Sequence, residues 1–362
     1  EKVTTYDVGV DVDMFKNRLT IGFDWYRRNT TDMYTVGPTL PEVLGTTQPK
    51  GNYADLKTKG WELTLSWRDN FKLAGSDFHY GVKFMLWDSQ SWITKYNNAT
   101  GKLSDYYEGY RIGDIWGYNI EGLFTSYDEI ANHADQDYMK ISDSKIWQPG
   151  DLKFADLNGD GKIDKGAQTL SDHGDLVIVG NEEERYHYGF NLNVGWKGIG
   201  ISAFFQGVGK RDWYPGQETG FFWGKYNRPY GYSLKMHENR WTEENPNPNA
   251  YWPRLVGYSS ENGGRPMGTP NNRYMQDASY LRLKALTVDY SLPQAWVSKL
   301  GLTGLKIYFT GENLFTFSNV CENFDPEVIK GGDVDLKDRK GEEQGYSYPM
   351  LKTYTVGLNV SF

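Results

Sequence analysis

The sequence predicts an all-β protein, a transmembrane antiparallel β-barrel with long extracellular loops. Three observations carry this prediction: the terminal strand, the segments that repeat its pattern, and the order of short and long links. The chain ends in an alternating strand whose apolar positions are Tyr354, Val356, Leu358, Val360 and Phe362. Because successive side chains of a strand point to opposite faces, one face here is apolar and the other polar. In an outer-membrane barrel these faces meet lipid and lumen, but a half-buried strand of a soluble sandwich shows the same alternation.

Eight further segments repeat this alternation. Three are strong, at 6–14, 61–67 and 186–196, and five are weaker, at 19–31, 77–90, 199–208, 280–292 and 305–314. Most approach the length of about ten residues that a tilted membrane strand needs, whereas soluble strands usually have about five or six. Aromatic residues near strand ends fit the girdle of a membrane barrel, namely Trp25, Trp67, Trp87 and Trp196. With the terminal strand, this gives about nine membrane crossings.

The links between these segments alternate strictly in length. The short ones are 15–18, 69–76, 197–198 and 293–304, and the long ones are 32–56, 91–184, 209–279 and 315–350. Alternate links of a meander lie on opposite sides, so all short turns face one way and all long loops the other. This segregation is typical of short periplasmic turns and long extracellular loops. An extended segment at 111–124 would break the alternation as a crossing, so we place it outside the membrane within the link 91–184.

The predicted strands do not complete a barrel. The chain would start outside, cross about nine times and end in the periplasm, whereas single-chain bacterial barrels have an even number of strands. Open sheet edges do not occur in lipid, so other strands must complete the wall, most simply from an N-terminal part of the same protein. The chain begins at Glu1 inside a strand pattern and without a signal peptide, which indicates a fragment or a processed product.

Composition limits the classes of function. The net charge of −8 argues against a nucleic-acid partner, and the single cysteine, Cys321, excludes an internal disulfide framework. The sequence contains no run of about 18 apolar residues, so no transmembrane helix is predicted. Aromatic residues make up 16% of the chain, which suits either membrane interfaces or surfaces that stack on sugars.

Seven sequence motifs occur along the chain: GDIWGY at 113–118, PGDLKFADLNGDGKID at 149–164, IVGN at 178–181, FFQG at 204–207, DASYLRLK at 277–284, GENLF at 311–315 and DPE at 325–327. Taken together and in order, these motifs resemble those of the SusC-like (SusC/RagA) TonB-dependent transporters of Bacteroidetes. The resemblance runs essentially from end to end. It implies a barrel of about 22 strands, of which this chain is the C-terminal portion.

The resemblance also implies partners. An N-terminal plug and a segment that contacts TonB belong to the family, and neither lies in these 362 residues. The family pairs with a SusD-like lipoprotein lid over the extracellular mouth and imports oligosaccharides, or less often peptides. Location in the bacterial outer membrane follows, with outer-membrane lipid around the wall.

One link carries the spacing of a calcium-binding loop. The oxygen donors are Asp156, Asn158, Asp160, the backbone carbonyl of Lys162, and Asp164. Gly161 permits the sharp turn, but Ala167 stands at the twelfth position, where a bidentate Glu is usual. We expect Ca²⁺ or Mg²⁺ here and no organic cofactor. The alternative is a solvated turn that binds nothing.

The link 209–279 is crowded with aromatic residues beside arginines. Candidates for contact with the substrate or with the lid protein are Trp213, Tyr214, Phe222, Trp223, Tyr226, Tyr230 and Arg228. An exposed aromatic surface can stack on the C–H faces of sugar rings, and arginine can bind hydroxyls or carboxylates. The alternative is a link that packs on itself.

No catalytic constellation stands out in the sequence, so we expect no enzyme. Two functions remain open. The first is a TonB-dependent importer, in which the terminal strand from Tyr354 to Phe362 also serves as the signal for membrane insertion. The second is a secreted, calcium-stabilised β-sandwich that binds or cleaves glycans, because the aromatic link and the calcium-like loop fit both.

Overall fold

Nine long strands form a single antiparallel sheet. The computed structural model describes all residues except 38, 39, 42, 44, 47, 141–145, 218, 229, 257–264 and 330–346. We name the strands of this sheet β1 (Lys2–Met14), β2 (Leu19–Val36), β3 (Lys50–Leu73), β4 (Ser76–Tyr96), β5 (Arg185–Trp196), β6 (Ile199–Lys210), β7 (Tyr280–Ser291), β8 (Gly304–Ser318) and β9 (Thr353–Ser361). All nine segments with alternating residues lie in this sheet, as predicted.

The sheet is a meander with two free edges. Each strand pairs with its neighbour in chain order, and β1 and β9 lie at opposite edges, unpaired with one another in the described residues. The other sheets among these residues have two strands each: Asp114–Gly117 with Val177–Asn181, Ile120–Leu123 with Leu152–Phe154, and Asp212–Trp213 with Gln276–Asp277. A sandwich needs a second sheet over the apolar face of the first, so the sandwich alternative is wrong.

The strands are longer than their alternating cores. β3 has 24 residues, although the sequence predicts a strand only at 61–67, and β4 has 21. The difference has a physical reason. Alternation marks only the part of a strand with an apolar face, whereas ladder hydrogen bonds join backbones and continue through polar residues such as Lys57 and Thr58, opposite Trp92 and Ser91.

The register separates the two faces of the sheet. Phe84 lies opposite Phe190 and Val82 opposite Leu192, while the residues between them form the polar pair Lys83 and Asn191. On β9 the apolar side chains are largely exposed, with Val356 at 74%. We call the apolar side the outward face and the polar side the lumenal face. Exposed apolar area of this extent is stable only against lipid or another apolar surface.

Three short links make tight hairpin turns. The link 15–18 begins with three residues at positive φ, from 54° to 61°. In the turn Ala74–Gly75 the two φ angles are 48° and 78°, and in the turn Lys197–Gly198 they are 47° and 82°. Positive φ at both central residues gives the turn twist that matches the twist of the flanking strands. The fourth short link instead contains the helix Gln294–Val297 and the 3₁₀ turn Ser298–Leu300.

The main hydrophobic core lies in the links rather than in the sheet. Its buried residues come from the three links between β4 and β5, β6 and β7, and β8 and β9, from Tyr118 to Ile329. These links contain the short helices Tyr127–Ala131, Gly220–Trp223 and Arg265–Gly268, and the 3₁₀ turns Asp137–Met139, Gly224–Tyr226 and Lys235–Glu238. We call this packed group of links the link layer. Across the described ranges, no helix has the length and apolar character to span a bilayer.

A matched pair of substitutions tests the assignment of the outward and lumenal faces. Leu192→Arg places a charge on that face near the middle of β5, and we expect it to cost about 2–4 kcal/mol of stability in a bilayer. Asn193→Arg places the same charge on the lumenal face and is expected to cost much less. Denaturant unfolding of the full-length protein in lipid vesicles measures both. Equal losses would contradict the assignment of the faces.

Candidate functional sites in the long links

The aromatic residues of the second long link form a stacked core. The ring centroids of Tyr226 and Tyr274 each lie 5.2 Å from that of Trp252, with interplanar angles of 18° and 22°. The polar edges find partners within the link, because the Tyr226 hydroxyl donates to Pro253 O at 2.7 Å and Trp252 Nε1 donates to Met236 O at 2.9 Å. This arrangement packs the link on itself, which is the alternative that the sequence left open.

Most of the predicted aromatic contacts are therefore buried. Exposure is 1% or less for Trp213, Phe222, Trp223 and Tyr226, and 9% for Tyr214, whose hydroxyl donates to Met267 O at 2.5 Å. A ring without an accessible face cannot stack on a ligand in this conformation. The ligand-contact interpretation is thus confined to the accessible part of the set, the half-buried Arg228 and the exposed Tyr230.

Arg228 and Tyr230 lie together at the surface of the link layer. Tyr230 is 75% exposed, and Arg228 Nη1 donates to its hydroxyl at 3.1 Å. Two further aromatic residues of the same link, Phe221 and Tyr232, are 46% and 60% exposed. Asn323 Nδ2 donates to Phe221 O at 3.1 Å, which joins this surface to the third long link. The exposed surface therefore combines apolar rings with a guanidinium group.

The calcium-like loop is organised by its own backbone. The two carboxylate oxygens of Asp156 accept hydrogen bonds from the N–H groups of Gly159 at 2.7 Å and Gly161 at 2.9 Å. Both glycines have positive φ, 74° and 81°. Asn158 Oδ1 accepts from the N–H of Asp160 at 3.0 Å. The loop thus wraps around Asp156, as oxygen ligands must wrap around a cation.

The remaining predicted ligands lie at the end of the same loop. Asp160 Oδ1 accepts from Lys162 N at 2.8 Å, and Asp164 Oδ1 accepts from Gly166 N at 2.7 Å. Each oxygen keeps a further lone pair. However, no group of three or more His, Cys, Asp or Glu side chains converges into a metal-binding arrangement in the described part of the chain.

A buried carboxylate that the sequence did not single out fastens this loop. Asp175 is fully buried, and its two oxygens accept from Leu157 N at 2.7 Å and Asp164 N at 2.9 Å. It therefore ties the two ends of the loop together. Ile163, which is also fully buried, anchors the loop in the main core. No local motif marks Asp175, because its partners lie 11 and 18 residues away.

A second missed feature is an ion network that joins the third long link to the sheet. Arg282 of β7 is 3% exposed and donates to Thr316 Oγ1 at 2.8 Å. Its guanidinium group also donates to Asp325 and to Glu327, at 2.5 Å each. Lys284 Nζ donates to Glu327 at 2.7 Å. The motifs at 277–284 and 325–327 are therefore two halves of one contact.

The terminal strand keeps the pattern predicted from the sequence. β9 pairs with β8 on one side, and its other edge is free in the described residues. All five predicted insertion residues are exposed, from 41% to 90%: Tyr354, Val356, Leu358, Val360 and Phe362. Together they form an apolar stripe beside an unpaired strand edge.

His237 lies inside the aromatic core in a fixed neutral form. Its Nδ1 accepts from Leu234 N at 3.0 Å, so its Nε2 carries the proton and donates to Phe222 O at 2.8 Å. Burial lowers the pKa of His237 below its ordinary value of 6.5. The hydrogen bond to Phe222 opposes this shift, and the charge of Arg240 adds to it. Protonation would remove the acceptor that Leu234 N uses.

This geometry makes the packing of the second long link dependent on pH. A histidine with a lowered pKa contributes its full stability above pH 6.5, and that stability is lost as the pH falls below this value. We expect faster amide exchange over residues 219–241 at pH 5.5 than at pH 7.5, after correction for intrinsic exchange rates. Mass spectrometry of the full-length protein measures it. His237→Gln should abolish the pH dependence and His79→Gln should keep it; an unchanged dependence in His237→Gln would contradict the assignment.

Comparison with known proteins agrees with this architecture. A family model described as TonB dependent receptor-like, beta-barrel, matches residues 1–142. TonB-dependent receptor P3 of Formosa agariphila is 28% identical over 371 residues, which cover 98% of this chain and 34% of that protein. TonB-dependent receptor SusC of Bacteroides thetaiotaomicron is 24% identical over 374 residues, covering 100% of this chain and 32% of that protein. These relatives are named as receptors and not as enzymes.

Solved structures show the same fold. A structure of the RagAB peptide transporter superposes with a TM-score of 0.69 at 22% identity and covers 99% of this chain and 35% of that one. The RagAB peptide importer in its open-open state gives a TM-score of 0.68. The chain spans about a third of the length of the curated relatives that it matches. Residues 1–142 match the barrel model of the TonB-dependent receptors, and the whole chain is similar in sequence to receptors of this kind, SusC among them, and in fold to the RagAB transporter.

Proposed function

We propose that the full-length protein is a TonB-dependent importer that takes up oligosaccharides or peptides with a SusD-like lipoprotein lid. The observation that carries the proposal is one open sheet of long strands with an apolar outward face and the link layer packed beside it, in a chain that aligns along its whole length with receptors of this family. A wall of this kind encloses a lumen rather than a catalytic pocket.

The proposed topology follows from the two kinds of link. The long links face the outside of the cell and the short turns face the periplasm, so β9 ends in the periplasm. The free edges of β1 and β9 pair with strands from the rest of the protein, because an unpaired edge is not stable in hydrocarbon. The plug and its contact with TonB belong to that remaining part. The division of this chain into four extracellular loops, at about 32–56, 91–184, 209–279 and 315–350, is part of the same proposal.

The terminal strand serves as the insertion signal in this proposal. Its free edge offers unpaired N–H and C=O groups to another strand during assembly. The stripe of Tyr354, Val356, Leu358, Val360 and Phe362 supplies the lipid-facing side of that pairing. The same edge later closes against the first strand of the N-terminal portion.

Arg228 and Tyr230 contact the cargo or the lid protein. Two features support this contact. Tyr230 has an accessible ring that can stack on sugars or apolar side chains, and the guanidinium group of the half-buried Arg228 can bind hydroxyls or carboxylates. Oligosaccharides and peptides both present such groups. The similarity in fold to the RagAB peptide transporter favours the peptide alternative, and the resemblance to SusC-like transporters favours the glycan alternative.

Uptake measurements test the function. Deletion of the gene should abolish uptake of fluorescent oligosaccharides or peptides of a size that excludes passive porin diffusion, and the full-length protein should restore it only in cells with TonB. Tyr230→Ala should lower the uptake rate about fivefold, equivalent to one aromatic contact of about 1 kcal/mol. Tyr127→Ala removes an exposed tyrosine from another long link and should have no effect. Unchanged uptake of both cargo classes in the deletion strain would contradict the proposal.

The loop from Asp156 to Asp164 binds Ca²⁺, or Mg²⁺ less tightly. Support comes from the spacing of Asp156, Asn158, Asp160 and Asp164, from the turn at Gly161, and from the free lone pairs of their oxygens. The carbonyl of Lys162 completes the donor set. A bound cation requires these side chains to turn toward a common centre, which the missing acid at Ala167 makes less favourable.

Calcium titration of the full-length protein tests this loop. At a Ca²⁺ concentration about 100 times the dissociation constant, binding should stabilise the link layer by about 2.7 kcal/mol. Asp160→Ala should remove the effect, while Asp128→Ala, an exposed acid at the start of the helix Tyr127–Ala131, should retain it. Amide exchange over residues 150–176 is the readout. Identical calcium responses of the two variants would rule out this site.

A further inference from the structure

Cationic side chains follow the aromatic belt on the outward face. Trp25 of β2 lies directly opposite Trp61 of β3. The next residues on the same face, toward the long links, are Arg27 and Lys59, which are also directly opposite one another. The pairing between β2 and β3 has no register shift from Leu19 to Thr30, so the alternation of faces is uninterrupted here. Each step of two residues advances about 6.7 Å along a strand.

The neighbouring strands extend these positions into two rows of hydrogen-bond donors. The first row contains Tyr6, Arg27, Lys59 and Gln90, and the second contains Thr4, Asn29, Lys57 and Trp92. Every one of these side chains can donate a hydrogen bond. The Lys57 ammonium lies 5.5 Å from the centroid of the Trp92 ring, which confirms that this pair shares a face. We call these two rows the donor panel.

The charges of the donor panel are not compensated. Within the described ranges, Arg27, Lys57 and Lys59 take part in no ion pair; Arg27 Nε donates to Asn29 Oδ1 at 3.2 Å. Two nearby acids are already engaged: Asp88, opposite Trp61, by the guanidinium group of Arg185, and Asp55 by the N–H of Asp32 at 2.9 Å. Like charges directly opposite one another destabilise a sheet. An anion bound between Arg27 and Lys59 would replace their mutual repulsion by attraction and so stabilise this part of the sheet.

We propose that the donor panel binds the phosphate group of a phosphorylated glycolipid headgroup in the outer leaflet of the membrane. The donor panel is continuous with the apolar outward face, which supports this ligand. The acyl chains of the glycolipid would lie along Trp25, Trp61 and Val8, and its phosphate would contact the first row of the donor panel. Arginine forms bidentate hydrogen bonds with phosphate, and lysine adds a mobile charge. The inference rests on the proposed function in one respect, that the long links face outside.

Native mass spectrometry of the delipidated, full-length protein in detergent tests the panel. The probes are diphosphorylated lipid A, the same lipid without phosphates, a zwitterionic phospholipid, and inorganic phosphate alone. We expect lipid A to bind, its dephosphorylated form and the phospholipid to bind at least tenfold more weakly, and inorganic phosphate at millimolar concentration not to displace it. Arg27→Gln with Lys59→Gln should weaken lipid A binding about 30-fold, from two charges near a membrane surface.

A matched control removes two charges from the other face of the same sheet. Arg28→Gln with Lys83→Gln alters the lumenal face, where Arg28 lies opposite Thr58 and Lys83 opposite Asn191, and should leave lipid A affinity unchanged. Equal affinities of the two double variants, equal binding of the dephosphorylated lipid, or displacement by inorganic phosphate would overturn the proposal.

The importer proposal and the lipid proposal are contradicted by different results. The Arg27 and Lys59 double variant should still import cargo, so uptake tests the importer proposal and lipid A affinity tests the donor panel. Protease cleavage of the long links in intact cells tests their orientation by itself. Links that are cleaved only after the outer membrane is permeabilised would overturn both the topology and the lipid assignment.

Discussion

The rest of this structure depends on the requirement that backbone N–H and C=O groups in hydrocarbon be hydrogen-bonded. An antiparallel ladder meets it for every strand except the two at the edges. The meander from β1 to β9 therefore pairs each inner strand with both of its chain neighbours and, among the described residues, leaves the outer edges of its first and last strands unpaired. Because the ladder involves backbone alone, the side chains are free to differ on the two faces, as Leu192 and Asn193 do on β5.

This division explains where the hydrophobic core lies. A single sheet with lipid on one side and a lumen on the other has no large interior, so many of its apolar residues remain exposed within the chain, as Val356 is at 74%. The buried core is instead built by the long links, where Trp223 and Trp252 are fully buried. The aromatic content of this chain thus has two separate uses: lipid contact on the strands and packing in the links.

The strands could be predicted from the sequence because their signal is local. Alternation in 186–196 or 354–362 needs no knowledge of partners, and the tight turns beside them, such as Lys197–Gly198, are local as well. Burial in the links could not be predicted in this way. Tyr226 is hidden because Trp252 stacks on it from 26 positions away along the chain, and the sequence alone does not distinguish that ring from the exposed Tyr230.

The ion pairs show how the two layers are held together. Arg282 on the lumenal face of β7 contacts Asp325 and Glu327, which are 43 and 45 residues away along the chain. Removal of one partner from such a buried network leaves an uncompensated charge, which is much more costly than loss of a surface pair. Movement of the third long link would have to separate Arg282 and Lys284 from their carboxylates together. The link at 319–329 is therefore fixed to the wall, whereas Arg27 and Lys59 on the outward face have no ion-pair partner among the described residues.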